Sequence, residues 1–342
     1  MAFDHYPNIL TQSYGQTGTY SIKFNNTNIS YPDYQTIKQN LKKNHYDLII
    51  TTVCHVDYRG GKHGFFSEIS RRLKYSFESN MYKLGGTLVL DWIKQGIKLP
   101  PFIVLDDTDD PFIFPVDYEL LSKSLIYFKR ELPLDRFFTF RLFEAKLSKQ
   151  QKVPLVEKIL PLWLSYDLDS IAAFTNPDEI KPYNSRSVDI SYLTNLYMSY
   201  NRLKLLPHLD NLEAKYKVVT TKQGKFDKKE FYGISKDSKI SISLEGRGWD
   251  CAKHYELMIC GSLMFITRPT MELAFNLIDG QNCVFVDSEF RDLEERVKYY
   301  LDNPQKSSEV AKNGYDLAKN QLTNDKLVDY VLEKTLKAMK QR

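Results

Sequence analysis

The sequence predicts an α/β protein built as two layered domains. Three observations carry the prediction: the length of 342 residues, continuous β-branched runs bounded by turns, and regular alternation of those runs with helical stretches. One ordinary core does not grow to this length, and domains of roughly 150 residues give a count of two. Hydrophobic residues make up 42% and charged residues 26% of the chain, so apolar material for two cores is present.

The elements follow in order. Tyr46 to Val53, YDLIITTV, reads as a strand buried on both faces, as in a parallel sheet. The loop HVDYRGGKHG leaves it. The amphipathic stretch Gly86 to Gly96 makes a short crossover helix, and Pro100 to Asp107, PPFIVLDD, the next strand. SLIYFKREL and VEKILPLWLS continue the alternation. Residues 1 to 40 offer no clean strand leading into a glycine turn, and their role is open. Ser165 to Ser187 carries two prolines among many polar residues, the composition of a boundary. Beyond it come DISYLTNL, a helical stretch around Tyr200 to Tyr216, the strands KVVTT and KISIS, the helix DCAKHYELMIC, and the strands SLMFIT and NCVFVD. Asp292 to Met339 reads as helix, punctuated by Pro304 and Gly314. The division expected is a first domain over 1–165, a linker over 166–187, a second domain over 188–322 and a terminal helix over 323–342.

Charge and cysteine usage exclude several classes. Lys plus Arg number 47 against 43 Asp plus Glu, too small a surplus for a nucleic-acid partner without clustering. Cys54, Cys251, Cys260 and Cys283 form no CxxC pair, which argues against a disulfide framework and a zinc knuckle and suits a reducing cytoplasm. The N-terminus lacks the basic start and apolar run of a signal peptide, and the longest apolar stretch, near Leu257 to Ile266, is too short for a transmembrane segment. A soluble cytoplasmic protein is expected, and the sequons at Asn25 and Asn28 then read as chance matches.

The chemistry concentrates in Ser241 to Thr267, where a glycine-bearing loop joins a strand to a helix. Backbone N–H groups at a helix N-terminus stabilise a diphosphate, and Gly246 and Gly248 let the chain approach it. With Asp250 as helix cap, Lys253 falls in the first turn and Glu256 lies three residues on, on the same face. A carboxylate there accepts hydrogen bonds from ribose hydroxyls, while Arg247, Lys253 and His254 meet phosphates. The plainer readings are a solvated Glu256–Lys253 pair and a structural His254.

The segment GRGWDCAKHYELMICGSLMFI resembles the C-terminal donor motif of GT-B glycosyltransferases of the family 1-like group. In that group a glycine loop leads into a helix with a basic residue, then Glu three positions later, then a small-residue turn and an apolar strand. Lys253, Glu256 and Gly261 match those positions, and SYNRLKLLPHL before and NCVFVD with DLEERVKYYLDNP after extend the resemblance over Asp189 to Asn320. It implies two Rossmann-like domains facing across a cleft, with the C-terminal helix packing back on the first. It also implies a sugar transfer from a nucleotide-diphosphate sugar to a hydroxyl of a glycan or similar acceptor, with no cofactor beyond that co-substrate. Glu256 would hold the ribose, and Arg247 and Lys253 the diphosphate. Two positions depart: Gly248 stands where many retaining relatives carry a second Glu, and Lys253 replaces a frequent Arg, losing its bidentate fork.

In the first half, His55, Asp57 and His63 follow the first strand beside Gly60 and Gly61, and each is eligible as the base that deprotonates an acceptor hydroxyl. Asp106, Asp107, Asp109 and Asp110 follow the FIVL strand. An Asp-x-Asp there is the rival signature, that of a metal-dependent GT-A-like transferase using Asp107 and Asp109. A second rival is a non-catalytic binding protein on the same scaffold.

Overall fold

The computed structural model describes residues 9–11, 20–24, 27–31, 34–54, 85–143, 147–166, 171, 174–224 and 226–341. The chain divides into two compact units, Met1–Leu162 with Tyr330–Arg342, and Trp163–Asp329.

The first unit is organised on a five-stranded, wholly parallel sheet. Its strands are β1 (Ile9–Thr11), β4 (Leu48–Thr52), β5 (Phe102–Asp106), β6 (Ile126–Lys129) and β7 (Ile159–Pro161), adjacent in that order. Four of them fall where the β-branched runs predict them. The edge strand β1 and the hairpin of β2 (Tyr20–Phe24) with β3 (Thr27–Tyr31) lie in the stretch whose role the sequence leaves open. The crossover between β4 and β5 is the helix Gly85–Lys94, which buries Leu88, Val89 and Trp92 against the sheet. β4 and β6 are buried along nearly their whole length, as a sheet covered on both faces requires.

Polar groups in this core are paired. Asp106 and Lys129, register partners on β5 and β6, have fully inaccessible side chains 3.1 Å apart. The Tyr127 hydroxyl donates to Asp106 at 2.8 Å and the Thr108 hydroxyl at 2.6 Å, so the buried charges meet partners on several sides.

The second unit carries another five-stranded parallel sheet, of β8 (Val188–Tyr192), β9 (Val218–Thr220), β10 (Ser238–Ser243), β11 (Leu263–Thr267) and β12 (Val284–Val286). Ile190, Ile242, Phe265 and Val284 from these strands share a core with Leu209, Leu212, Val297 and Val310 from the covering helices. The helical stretch predicted over Tyr200 to Tyr216 is two helices, Tyr200–Lys204 and Leu206–Glu213. Pro207 has no N–H to donate to the Leu203 carbonyl, so one continuous helix cannot run through it.

Pro304 opens the helix Pro304–Gln321, but Gly314 does not punctuate it. A Cβ at Gly314 would stand 2.6 Å from the Asn282 carbonyl oxygen, so the glycine lets the helix lie directly on that backbone. The last helix, Asn324–Lys340, joins the first unit from Tyr330 onward, where its ring lies 5.9 Å from that of Phe128. The predicted return of the terminal helix to the first unit is met. Residues 171 and 174–187, in the stretch predicted as a linker, pack within the second unit: Arg186 there donates to the carbonyls of Ser238 and Gly261 at 2.9 and 2.8 Å. No helix among the described residues is long and apolar enough to cross a membrane.

Candidate nucleotide site

The strand order β12-β11-β10-β8-β9 reverses between β8 and β10. From β8 the chain moves outward to β9, then returns to build the other half. Loops leaving the carboxyl ends of β8 and β10 therefore diverge, and in open α/β sheets ligands bind in the crevice this creates. A cavity of about 760 Å³ lies there. Leu193 to Tyr197 after β8, Thr221 and Gly224 after β9, and Lys253 and Glu256 on the helix after β10 all line it. Its far wall comes from the helix Lys228–Lys236, started by a reciprocal capping box of Asp227 and Glu230.

Between β10 and the helix Ala252–Ile259 runs the glycine loop. Gly246 N–H donates to the Gly248 carbonyl at 3.0 Å, and neither glycine has a positive φ, so the loop backbone does not itself demand them. The left-handed glycine is Gly261 at the far end of the helix, φ 73°. Cys251, not the expected Asp250, is the N-cap residue, and no side chain caps the helix. Asp250 turns inward instead, accepting from the Leu164 N–H at 2.5 Å and from the Tyr255 hydroxyl.

Lys253 and Glu256 share one helical face and both reach the cavity, as their spacing predicts. Lys253 Nζ donates to the Leu193 carbonyl at 2.6 Å and sits 5.1 Å above the Phe231 ring. Burial lowers its pKa. Glu256 accepts a hydrogen bond from the Tyr232 hydroxyl at 2.9 Å. Arg247 is exposed on the loop.

His254 is a correction. It is fully buried, turned about 100° around the helix from Lys253, with both ring nitrogens engaged. The Trp249 carbonyl can only accept, so Nε2, 2.8 Å away, carries the proton, and Nδ1 accepts from the Ser243 hydroxyl at 2.7 Å. Burial pushes its pKa down to about 3. His254 ties strand, loop and helix together and offers no nitrogen to a phosphate.

Arg202 is a residue that sequence reasoning missed. Only 4% exposed, it donates to the carbonyls of Asn195 and Leu244, each at 2.9 Å, and so bridges the loops after β8 and β10. Its Nη2 would stand 3.6 Å from a Cβ at Gly246, directly behind the glycine loop. The available signal is spacing: Arg202 stands three and seven residues before the buried Leu205 and Leu209, which marks a charge in register with core positions.

His55, Asp57 and His63 lie outside the described residues. Two aspartates of the run that ends β5 pair internally: Asp106 with Lys129 and Tyr127, and Asp109 with Arg130. Among the described residues no group of three or more His, Cys, Asp or Glu is gathered so as to hold a metal ion.

A parallel sheet with a cation and a carboxylate lining a cavity at its switch point is an arrangement of the doubly wound α/β class. Residues 202–333 match the family described as "Glycosyl transferase-like", which overlaps the resemblance predicted over 189–320 from residue 202 onward. Among solved structures the chain is similar to a glycosyltransferase from Rickettsia africae ESF-5, at 13% identity over 90% of this chain and 81% of that one, TM-score 0.47. It is similar to Anabaena HepE solved in complex with UDP, at 12% identity over 88% and 80%, TM-score 0.49. Sucrose-phosphate synthase from Thermosynechococcus elongatus aligns at 10% identity over 94% and 83%, TM-score 0.46. No curated protein matches the chain.

Proposed function

We propose that the protein is a GT-B-like glycosyltransferase that moves a sugar from a nucleotide-diphosphate sugar to a hydroxyl of a glycan or similar acceptor. The observation that carries the reading is the pairing of Lys253 with Glu256 in the switch-point cavity, within a segment that matches a glycosyl transferase-like family. Glu256 accepts hydrogen bonds from the ribose hydroxyls. Lys253, Arg247 and Arg202 supply positive charge to the diphosphate, and the uncapped first turn of the helix Ala252–Ile259 adds its N–H groups. Charge grows on the departing nucleotide diphosphate as the glycosidic bond breaks, and fixed cations and N–H dipoles stabilise that charge without reorganising. Gly246 and Gly248 admit the diphosphate close to the backbone. The acceptor hydroxyl gives its proton to a base, for which His55, Asp57 and His63 are the candidates. The chemistry proceeds without an obligatory metal or other cofactor, and the four free thiols suit a cytoplasmic enzyme drawing on a cytoplasmic pool of activated sugars.

The test is turnover of nucleotide sugars by the wild type, Glu256→Ala and Lys253→Ala. The reading expects each variant to lose ten- to a hundredfold or more in kcat/KM, the scale of a lost hydrogen bond to a charged group, about 1.5–3 kcal/mol. Unchanged kcat/KM in both variants would overturn it.

A further inference from the structure

Glu256 is held from behind by an aromatic cluster whose members come from two separate parts of the chain, Phe174 and the adjacent Phe231 and Tyr232. The Tyr232 hydroxyl donates to Glu256 Oε1 at 2.9 Å. The Tyr232 ring is 1% exposed and lies 17° from parallel with Phe174, ring centroids 5.3 Å apart. Phe231 meets Tyr232 edge-on at 5.1 Å and carries Lys253 over its other side. Phe174 is in turn covered by Lys228, 5.3 Å from its centroid. Stacked and buried, Tyr232 has no freedom to swing its hydroxyl away, so its bond fixes one carboxylate oxygen of Glu256 and orients the other. A carboxylate on a helix otherwise rotates about three side-chain torsions, and ordering it would fall on the ligand.

We propose that Tyr232 is a positioning residue for nucleotide recognition: backed by Phe174, it presents Glu256 to the vicinal hydroxyls of the donor ribose and makes the site selective for ribonucleotides. The inference rests on the reading of this cavity as the donor site. The Tyr232 hydroxyl stays protonated throughout, since burial and the Glu256 charge both raise its pKa, so it remains a donor at any working pH. The bond also occupies one lone pair of Glu256, leaving the second oxygen to accept from the ligand.

The experiment is calorimetric titration of ADP, GDP, CDP and UDP, each against its 2′,3′-dideoxy counterpart, into the wild type, Tyr232→Phe and Phe174→Leu. Circular dichroism and thermal midpoints check that each variant is folded. In the wild type the preferred ribonucleotide binds about tenfold or more tighter than its dideoxy form, as expected for hydrogen bonds to a charged acceptor. Tyr232→Phe, which deletes one oxygen and keeps the stack, weakens the ribonucleotide and leaves the dideoxy form unchanged, collapsing that ratio towards one. Phe174→Leu lowers the ratio in the same direction by a smaller factor. A ratio that survives in Tyr232→Phe, or an equal loss of affinity for both nucleotides, overturns the role of Tyr232 while leaving the donor site standing. Absence of binding by all four diphosphates to the wild type overturns the donor site and the inference together.

Discussion

His254 and Glu256 sit two residues apart on one helix and do opposite work. Glu256 faces the cavity, while His254 is sealed in the core with its proton on Nε2. Its pKa falls from 6.5 to about 3 on folding, so the unfolded chain binds the extra proton between those values. Stability is therefore complete above about pH 6.5 and is lost as the pH falls towards 3, by up to about 1.4 kcal/mol per pH unit from this residue. Urea unfolding of the wild type and His254→Asn between pH 6.5 and 4.5 measures it: the variant is expected to have the shallower pH slope, and equal slopes would contradict the assignment. The spacing of Lys253 and Glu256 shows in the sequence because i and i+3 share a face whatever surrounds the helix. Which face meets the sheet does not show, and that alone decides between a ligand and a core residue at His254. Nor does the Tyr232 bond to Glu256, since it closes over 24 residues of chain.

At the scale of elements, two glycines serve different ends. Gly314 is filled against: a methyl there meets the Asn282 carbonyl at 2.6 Å. Gly314→Ala is expected to cost about 1–3 kcal/mol of unfolding free energy, the usual penalty for overpacking. Gly246 has room, with Arg202 Nη2 at 3.6 Å from a Cβ and no positive φ. Gly246→Ala is expected to leave stability within about 0.5 kcal/mol while weakening nucleoside diphosphate binding, because the added methyl comes up against Arg202, one of the cations proposed to meet the diphosphate. Chemical denaturation and titration of the same variants check both; stability loss at Gly246 with affinity intact would reverse the assignment. Strands β5 and β11 are legible in sequence because burial on both faces favours apolar runs, β4 adds β-branched Thr to its run, and β10 shows as Ile alternating with Ser. Strand β1 is three residues long and the β2–β3 hairpin stands apart from both larger sheets, so neither needs such a run. The Asp250 cap was misread for a related reason: Asp is a good cap by type, but here its carboxylate is spent on Leu164 and Tyr255.

At the scale of the molecule, the two larger sheets among the described residues, parallel and of five strands each, account for the alternation read along the chain, and the last helix returns from the second unit to the first. The buried Asp106 at the end of β5 belongs to the architecture of the first sheet, where it neutralises Lys129 beneath the surface. Asp106→Ala leaves that lysine buried and uncompensated, and a loss of about 3–5 kcal/mol is expected on denaturant unfolding. A loss under about 1 kcal/mol would show that the pair is not needed to satisfy the lysine.

The central claim is that the second unit binds a nucleotide diphosphate through Glu256, and thermal unfolding against a panel of nucleoside diphosphates and nucleotide sugars, with and without a chelator, tests it most directly. A ligand at a hundred times its dissociation constant adds about 2.7 kcal/mol to the folded state. The account predicts that one nucleotide raises the midpoint of the wild type, that the rise persists in chelator, and that Glu256→Ala abolishes it. A rise of equal size in Glu256→Ala, or none with any nucleotide, would contradict it.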